Sequence, residues 1–211
     1  MMNGGSLVML ICISREFGSG DHKIGKILAS SLGYSCYDQY MLSEAMKLST
    51  ISPEEKEKAD RALKSYGLMD SYSISKNLDS SVFPVNDANY QLQSSIIRRS
   101  ATKNSCVYVG LCANAVLKDE GIQRISLFIA APFSDRVHRI MKLQNMDEKN
   151  AADLVCRTDR HRKSYYNYYT EGGWGRPDHY DFCINSSTLG IEKTADALQM
   201  LVRKIQTEKY S

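Results

Sequence analysis

Ile11-Cys-Ile-Ser-Arg-Glu-Phe-Gly-Ser-Gly-Asp-His-Lys-Ile-Gly25 is the stretch that decides the fold of this chain. The apolar run from Leu7 to Ile13 predicts a buried strand, and a turn with Gly18 and Gly20 follows it. A helical pattern then begins, with Ile24, Ile27, Leu28 and Leu32 on one face. Strand, glycine loop and helix in that order aim backbone N–H groups and the positive end of a helix dipole at one point. That arrangement suits phosphate. The bland alternative is a strand-to-helix turn whose glycines serve the backbone only.

Two registers compete for the loop. Gly20, four further residues and Gly25-Lys26 give a partial Walker A match. Ile27 stands where the motif needs Ser or Thr, and Gly25 falls a turn inside the helix, so the match is accidental. The better register places Gly18-Ser19-Gly20 at the tight turn, and Asp21 then takes the place of the usual lysine. A carboxylate beside a triphosphate is repulsive, on the order of 4 kcal/mol at about 4 Å and a surface-like dielectric. Arg15, His22 and Lys23 are the cations at hand to offset it.

Working outward, strands alternate with helices. Tyr34–Tyr37, Cys106–Gly110, Ile125–Ala130 and Phe182–Ile184 are further strand candidates. Helices are expected over Gln39–Leu48, from Ser52-Pro53-Glu54-Glu55 onward, over Asn89–Thr102, after Gly110 through Leu117, and from Phe133 through Met141. Two more are expected, one from Asp147 into an arginine cluster and one from Ile191 through Ile205. Residues 66–88 are polar and weakly periodic, which suggests an excursion from the core. The alternation implies a five-stranded parallel sheet covered on both faces, an α/β fold. No repeat or linker divides the 211 residues, so one domain over 1–211 is expected.

A hydrophobic content of 43% and a net charge of +3 fit a soluble globular protein and argue against a dedicated nucleic-acid binder. The N-terminal apolar run is too short to span a bilayer. The six cysteines form no CxxC pair, and they read as reduced thiols of a cytoplasmic protein. Charge is instead concentrated locally, at Arg157, Arg160, Arg162 and Lys163. These residues form either a solvated basic face, with Asp153 and Asp159 as partners, or a set of guanidinium groups for a transferring phosphoryl group. Tyr165, Tyr166, Tyr168, Tyr169 and Trp174 follow, either as packing or as a contact for a base or a second subunit. Asp38, at the end of the second strand, either holds Mg²⁺ through water or caps the next helix.

These segments together resemble the cytidylate kinase-like family of P-loop nucleoside monophosphate kinase relatives. The resemblance is carried by Ile11–Gly20, Ile24-Gly25 with Leu28-Ala29, Tyr37-Asp38, Val109–Ala113, Ala131-Pro132 and Asp135-Arg136-Val137. It continues through Arg157–Arg160, Ser164–Thr170, Trp174-Gly175, Asp178–Asp181 and Ile184–Ser187. It implies a P-loop three-layer sandwich with a helical acceptor-binding insertion, about 45–102, and a mobile lid, about 146–176. It also implies phosphoryl transfer from ATP, with Mg²⁺, to a nucleoside monophosphate, CMP or dCMP favoured, in a protein that could self-associate.

On that resemblance Arg157, Arg160 and Arg162 are the catalytic candidates. Arg15, Gly18, Ser19, Gly20, His22 and Lys23 are the donor-phosphate candidates, and Asp38 is the candidate for the metal. The chain departs from the family at two places. Asp21-His22 stands where Gly-Arg is usual, and Gly110-Leu111-Cys112 stands where Gly-Arg and an acid are usual. A guanidinium restored at 111 is therefore expected to raise turnover, with Asp159, Arg98 and Arg99 as the remaining acceptor-binding candidates. The same departures support a rival reading, a degenerate nucleotide-binding protein that senses or regulates without efficient turnover.

The preferred register makes a direct prediction for ATP affinity, measured by titration calorimetry. Lys26→Ala leaves affinity within a few-fold, whereas Gly20→Val abolishes binding because a side chain blocks backbone approach to phosphate. Loss in the first variant with retention in the second would reverse the register.

Overall fold

The computed structural model of the protein describes residues 8–38 and 83–209. Five strands form one sheet: β1 (Leu10–Arg15), β2 (Ser35–Tyr37), β3 (Cys106–Val109), β4 (Ile125–Ala130) and β5 (Phe182–Asn185). Their order is β2-β3-β1-β4-β5 and every pairing is parallel. Among the described residues the helices are α1 (Asp21–Leu32), α2 (Phe83–Ala101), α3 (Ala113–Asp119), α4 (Phe133–Gln144), α5 (Glu148–Tyr169) and α6 (Ile191–Lys209). A parallel sheet gathers the C-terminal ends of all its strands at one edge. The chain leaves β1 toward β2 on one side and later crosses from β3 to β4 on the other. Ligand crevices in open α/β sheets form outside such a reversal point, here at the end of β1.

The pleat explains both layers. Ile11 and Ile13 face α1 and α6, packing with Ile24, Leu28, Ala195, Leu198 and Val202. Leu10 and Cys12 point the other way, onto Ile97 of α2 and Val116 and Leu117 of α3. A third cluster joins α4 to α5 through Val137, Ile140, Ala151, Leu154 and Val155, and it includes Phe17 of the loop after β1. Burying each such side chain is worth roughly 1.5–3 kcal/mol, so the loop is fastened to the core by one of its own residues.

The α/β class and five parallel strands agree with the sequence reading, with shifts at the boundaries. β1 starts three residues later than the apolar run and extends through Ser14 and Arg15, because its ladder to β4 continues to the Arg15–Ile129 pair. Helix α2 begins at Phe83, so the last part of the 66–88 excursion is helical instead. Its proline lies in the first turn, where the missing N–H costs nothing. The helices expected over 39–48 and from Ser52 lie outside the described residues, as does most of the insertion.

Gly25 is a packing residue of α1. A Cβ placed on it would fall 2.5 Å from Val109 Cγ2, while Lys26 beside it is exposed. Gly25→Val should therefore lose roughly 1–3 kcal/mol through overpacking, and Lys26→Ala should stay within about 0.5 kcal/mol. Urea denaturation of the two variants checks the difference, and equal stabilities would contradict the helix–strand contact.

Candidate functional site

Between β1 and α1 the backbone turns twice into the left-handed region, at Gly18 (φ 81°) and Gly20 (φ 86°). Gly20 has its carbonyl bonded to the Ile24 N–H at 3.0 Å, and it gives α1 no side-chain cap. The first-turn N–H groups of α1 are thus left open toward the sheet edge. A Cβ on Gly18 would fall 3.1 Å from the Arg136 carbonyl oxygen, a tight contact at a backbone conformation that already disfavours a side chain. Ser19 is fully buried, and its hydroxyl has no hydrogen-bond partner among the described residues. Its carbonyl accepts from Ser186 Oγ at 2.6 Å, which ties the loop to the end of β5.

Three guanidinium groups surround this turn. Arg15 donates through Nε to Asp21 Oδ2 at 3.1 Å, closing the two ends of the loop. It is seated flat on Gly110, where a Cβ would fall 2.2 Å from Arg15 Nη1. Arg139 donates to the Gly18 carbonyl, and burial holds its pKa below the usual arginine range against the pull of Asp135 and Asp21. Arg162 donates to the Arg15 carbonyl at 3.5 Å and lies over the Phe17 ring at 5.3 Å. Burial first and the neighbouring Arg15 second push Arg162 down to about 9, with Asp21 and Asp159 acting in the opposite direction. A site that costs its own cations this much is poised for an anion.

A fourth arginine holds the frame. Arg136 is buried and donates to the carbonyls of Ala131 (3.0 Å) and Phe17 (3.1 Å) and to Asp159 Oδ2. Asp159 Oδ1 accepts the Phe17 N–H at 2.7 Å. Glu16, 3.4 Å from Arg136, accepts the Ala131 N–H at 3.0 Å.

Of the residues singled out in the sequence, Arg15, Gly18, Ser19, Gly20 and Arg162 are brought together at the loop. His22 sits in the first turn of α1, with Nδ1 3.2 Å from Asp38 Oδ2. Asp38 is buried at the end of β2. Lys23 is exposed and paired with Glu192 of α6, an arrangement that contributes little.

Four expectations need correction. Asp159 accepts from the Phe17 N–H and from Arg136, so in the structure it holds the loop to α4. Arg98 and Arg99 occupy the last turn of α2, which leads into the start of β3 at the edge opposite the loop, and Arg98 pairs with Glu120 there. Arg157 and Arg160 lie on the exposed face of α5, turned away from the face that carries Asp159 and Arg162. Sequence spacing grouped the three α5 arginines, but the helical period separates them. Arg139, missed in the sequence, follows Arg136 by one helical turn, and that spacing was its only signal.

Leu111 corrects the fourth expectation. Gly110, Leu111 and Cys112 are consecutively left-handed (φ 84°, 67° and 53°). The turn buries Leu111 in the cluster between α2 and α3, so position 111 does not face the loop. Cys112 is buried beside Arg15, and burial pushes its thiol up to about 12, which leaves it an inert, neutral group.

The profile of the cytidylate kinase-like family matches residues 10–188. This chain belongs to that family. A crystal structure of an uncharacterized protein from Eubacterium ventriosum is similar over 95% of this chain and 99% of its own, with 28% identity and a TM-score of 0.69. A shikimate kinase from Bacteroides thetaiotaomicron (92% and 98% covered, 14% identity, TM-score 0.56) shares the fold. So does a gluconokinase from Sinorhizobium meliloti (97% and 98% covered, 13% identity, TM-score 0.55). No curated protein matches the chain significantly. The cytidylate kinase-like chain thus has the P-loop kinase architecture, with its glycine turn at the reversal point of the sheet. No helix among the described residues is long and apolar enough to cross a membrane.

The burial of Leu111 reverses the expected effect of a restored arginine. Leu111→Arg should destabilise the protein by on the order of 3 kcal/mol or more, since it places a charge in an apolar cluster at a left-handed residue. A lowered urea midpoint with no gain in nucleotide affinity is the expected result. Unchanged stability with tighter nucleotide binding would return position 111 to the site.

Proposed function

We propose that this cytidylate kinase-like protein transfers a phosphoryl group from ATP to a nucleoside monophosphate, with CMP or dCMP as the leading acceptor, in the cytoplasm. The observation that carries the reading is the convergence of Arg15, Arg139 and Arg162 on a left-handed glycine turn at an uncapped helix N-terminus. Such transfer needs little covalent help from the protein and depends on positioning and on charge around the moving group. An oxygen of the acceptor phosphate attacks the γ-phosphorus, the bond from that phosphorus to the β–γ bridging oxygen breaks, and ADP leaves.

In this reading the N–H groups of Gly20 and of the first turn of α1 hold the donor phosphates. Arg15 and Arg162 neutralise charge on the transferring group. Arg139 leaves the Gly18 carbonyl for a phosphate oxygen, and His22 stands at the rim. Among the described residues no three His, Cys, Asp or Glu side chains are grouped to cage a metal. That suits an Mg²⁺ carried mainly on phosphates, which needs only one or two carboxylates. Asp38, buried at the end of β2, would hold it, and the ion would supply charge neutralisation for the donor phosphates.

Two observations favour a second reading, nucleotide binding without efficient turnover. Asp21 already neutralises Arg15, and position 111 offers the acceptor no cation. A coupled ADP-release assay across the common nucleoside monophosphates, run beside calorimetric ATP binding, separates the two. ADP release above the acceptor-free background with CMP or dCMP is expected. ATP binding without acceptor-dependent release would establish the second reading, and no ATP binding at all would remove both.

A further inference from the structure

Asp21 carries a charge that opposes the function just proposed, yet it is buried beside the glycine turn. Its side chain is 12% exposed and that of its partner Arg15 is 15% exposed, so this ion pair is poorly screened. Arg139 and Arg162 both feel the Asp21 charge. Asp21 is thus the ion-pair partner of Arg15 and shares with Asp135 and Asp159 the offsetting of Arg139 and Arg162. The Arg15 guanidinium also lies against Gly110, which has no side chain to displace it. Asp21 is also the first residue of α1, so it stands beside the N–H groups that would receive a phosphate.

We propose that Asp21 is the built-in occupant of the phosphate cradle, a carboxylate that donor phosphates must displace from Arg15, and so a residue that sets how tightly the site accepts anions. The inference rests on the loop being the donor-phosphate site. Without nucleotide, Asp21 offsets the repulsion between Arg15 and Arg162 and holds the loop closed from end to end. When a polyphosphate arrives, it takes over the counter-ion role, and the carboxylate is left as a like charge that weakens binding. A singly charged anion gains too little from the arginines to make that exchange, and a polyphosphate gains enough.

Inorganic tripolyphosphate is the probe, titrated calorimetrically into the full chain as wild type, Asp21→Asn, Asp21→Ser and Asp21→Glu, with thermal unfolding measured for each. The two neutral variants should bind tripolyphosphate at least about tenfold more tightly than wild type, which is ~1.4 kcal/mol, and Asp21→Glu should bind like wild type. Without ligand the neutral variants should melt lower than wild type, and tripolyphosphate should raise their midpoints by more than it raises the wild-type midpoint. Neutral variants that fold only with tripolyphosphate present would also support the exchange. Binding by wild type with no tightening in either neutral variant would overturn the role of Asp21 while leaving the phosphate site intact. If none of the four proteins binds tripolyphosphate or ATP, the phosphate site falls as well.

Discussion

A single buried guanidinium, that of Arg136, holds the loop in the conformation on which the rest of the site depends. It reaches from α4 to the carbonyls of Phe17 and Ala131 and to the carboxylate of Asp159. It thereby joins the turn after β1, the end of β4 and the middle of α5. A buried charge is expensive unless every direction it points in is answered. Here two carbonyls and two carboxylates answer it, and Asp159 completes the circuit by accepting the Phe17 N–H. Neutralising Asp159 would remove the nearer of the two carboxylates and leave Glu16 as the remaining counter-charge of Arg136. The geometry of the glycine turn is thus set from behind, by side chains that do not face the crevice.

That circuit also explains how α5 relates to the loop. Its N-terminal half packs on α4 through Ala151, Leu154 and Val155. Its middle is bonded to the loop through Asp159 and Arg162. Its C-terminal half reaches the opposite side, where Tyr166 accepts from Asn114 Nδ2 at 2.9 Å and Tyr169 stacks on Tyr90 at 4.1 Å. Trp174 then packs edge-on against Phe128 of β4. Tyr166, Tyr169 and Trp174 thus pack against α3, α2 and β4, while Tyr168 is exposed. Any opening in this region must break tyrosine contacts or move the segment after Thr170, where Gly172, Gly173 and Gly175 take positive φ.

Much of this was legible in the sequence because it depends on period and position. Alternation in Leu10–Ile13 gives the two faces of β1, and the 3.6-residue spacing of Ile24 and Leu28 gives the buried face of α1. Gly18 and Gly20 were readable because few other residues tolerate that backbone. What could not be read depends on which way a side chain turns. Asp159 and Arg162 lie three apart on one face of α5, with Arg157 and Arg160 on the other, and a cluster seen along the chain does not show which face meets the core. Arg98 and Arg99 were misplaced for a related reason. Their helix runs toward the N-terminal edge of the sheet, so a basic pair close in sequence to β3 ends up far from the crevice. Leu111 could not be read at all, since three successive left-handed residues have no sequence signature when only the first is glycine.

Those three residues raise a further question of energy, and the loop supplies the answer. Left-handed geometry at Leu111 and Cys112 costs roughly 1–2 kcal/mol per residue. The turn gains Leu111 burial in return. It also gains the position of Gly110, whose missing side chain leaves a flat seat for Arg15. Strain of this kind persists where the surroundings over-determine it, and here it sits directly behind a cation of the phosphate cradle. Arg162 adds a second stored cost. With its pKa held down to about 9 by burial and by Arg15, it is still charged at neutral pH, and the penalty for charging it is present in the folded state throughout that range. The penalty begins to fall as pH rises above the folded value and is gone only above the ordinary arginine pKa, because a base with a lowered folded pKa opposes folding wherever it must carry its proton. An anion that pairs with Arg162 removes the same cost by raising its pKa. The left-handed turn and the crowded arginines are therefore two parts of one arrangement, in which the fold spends stability to hold positive charge at the end of β1.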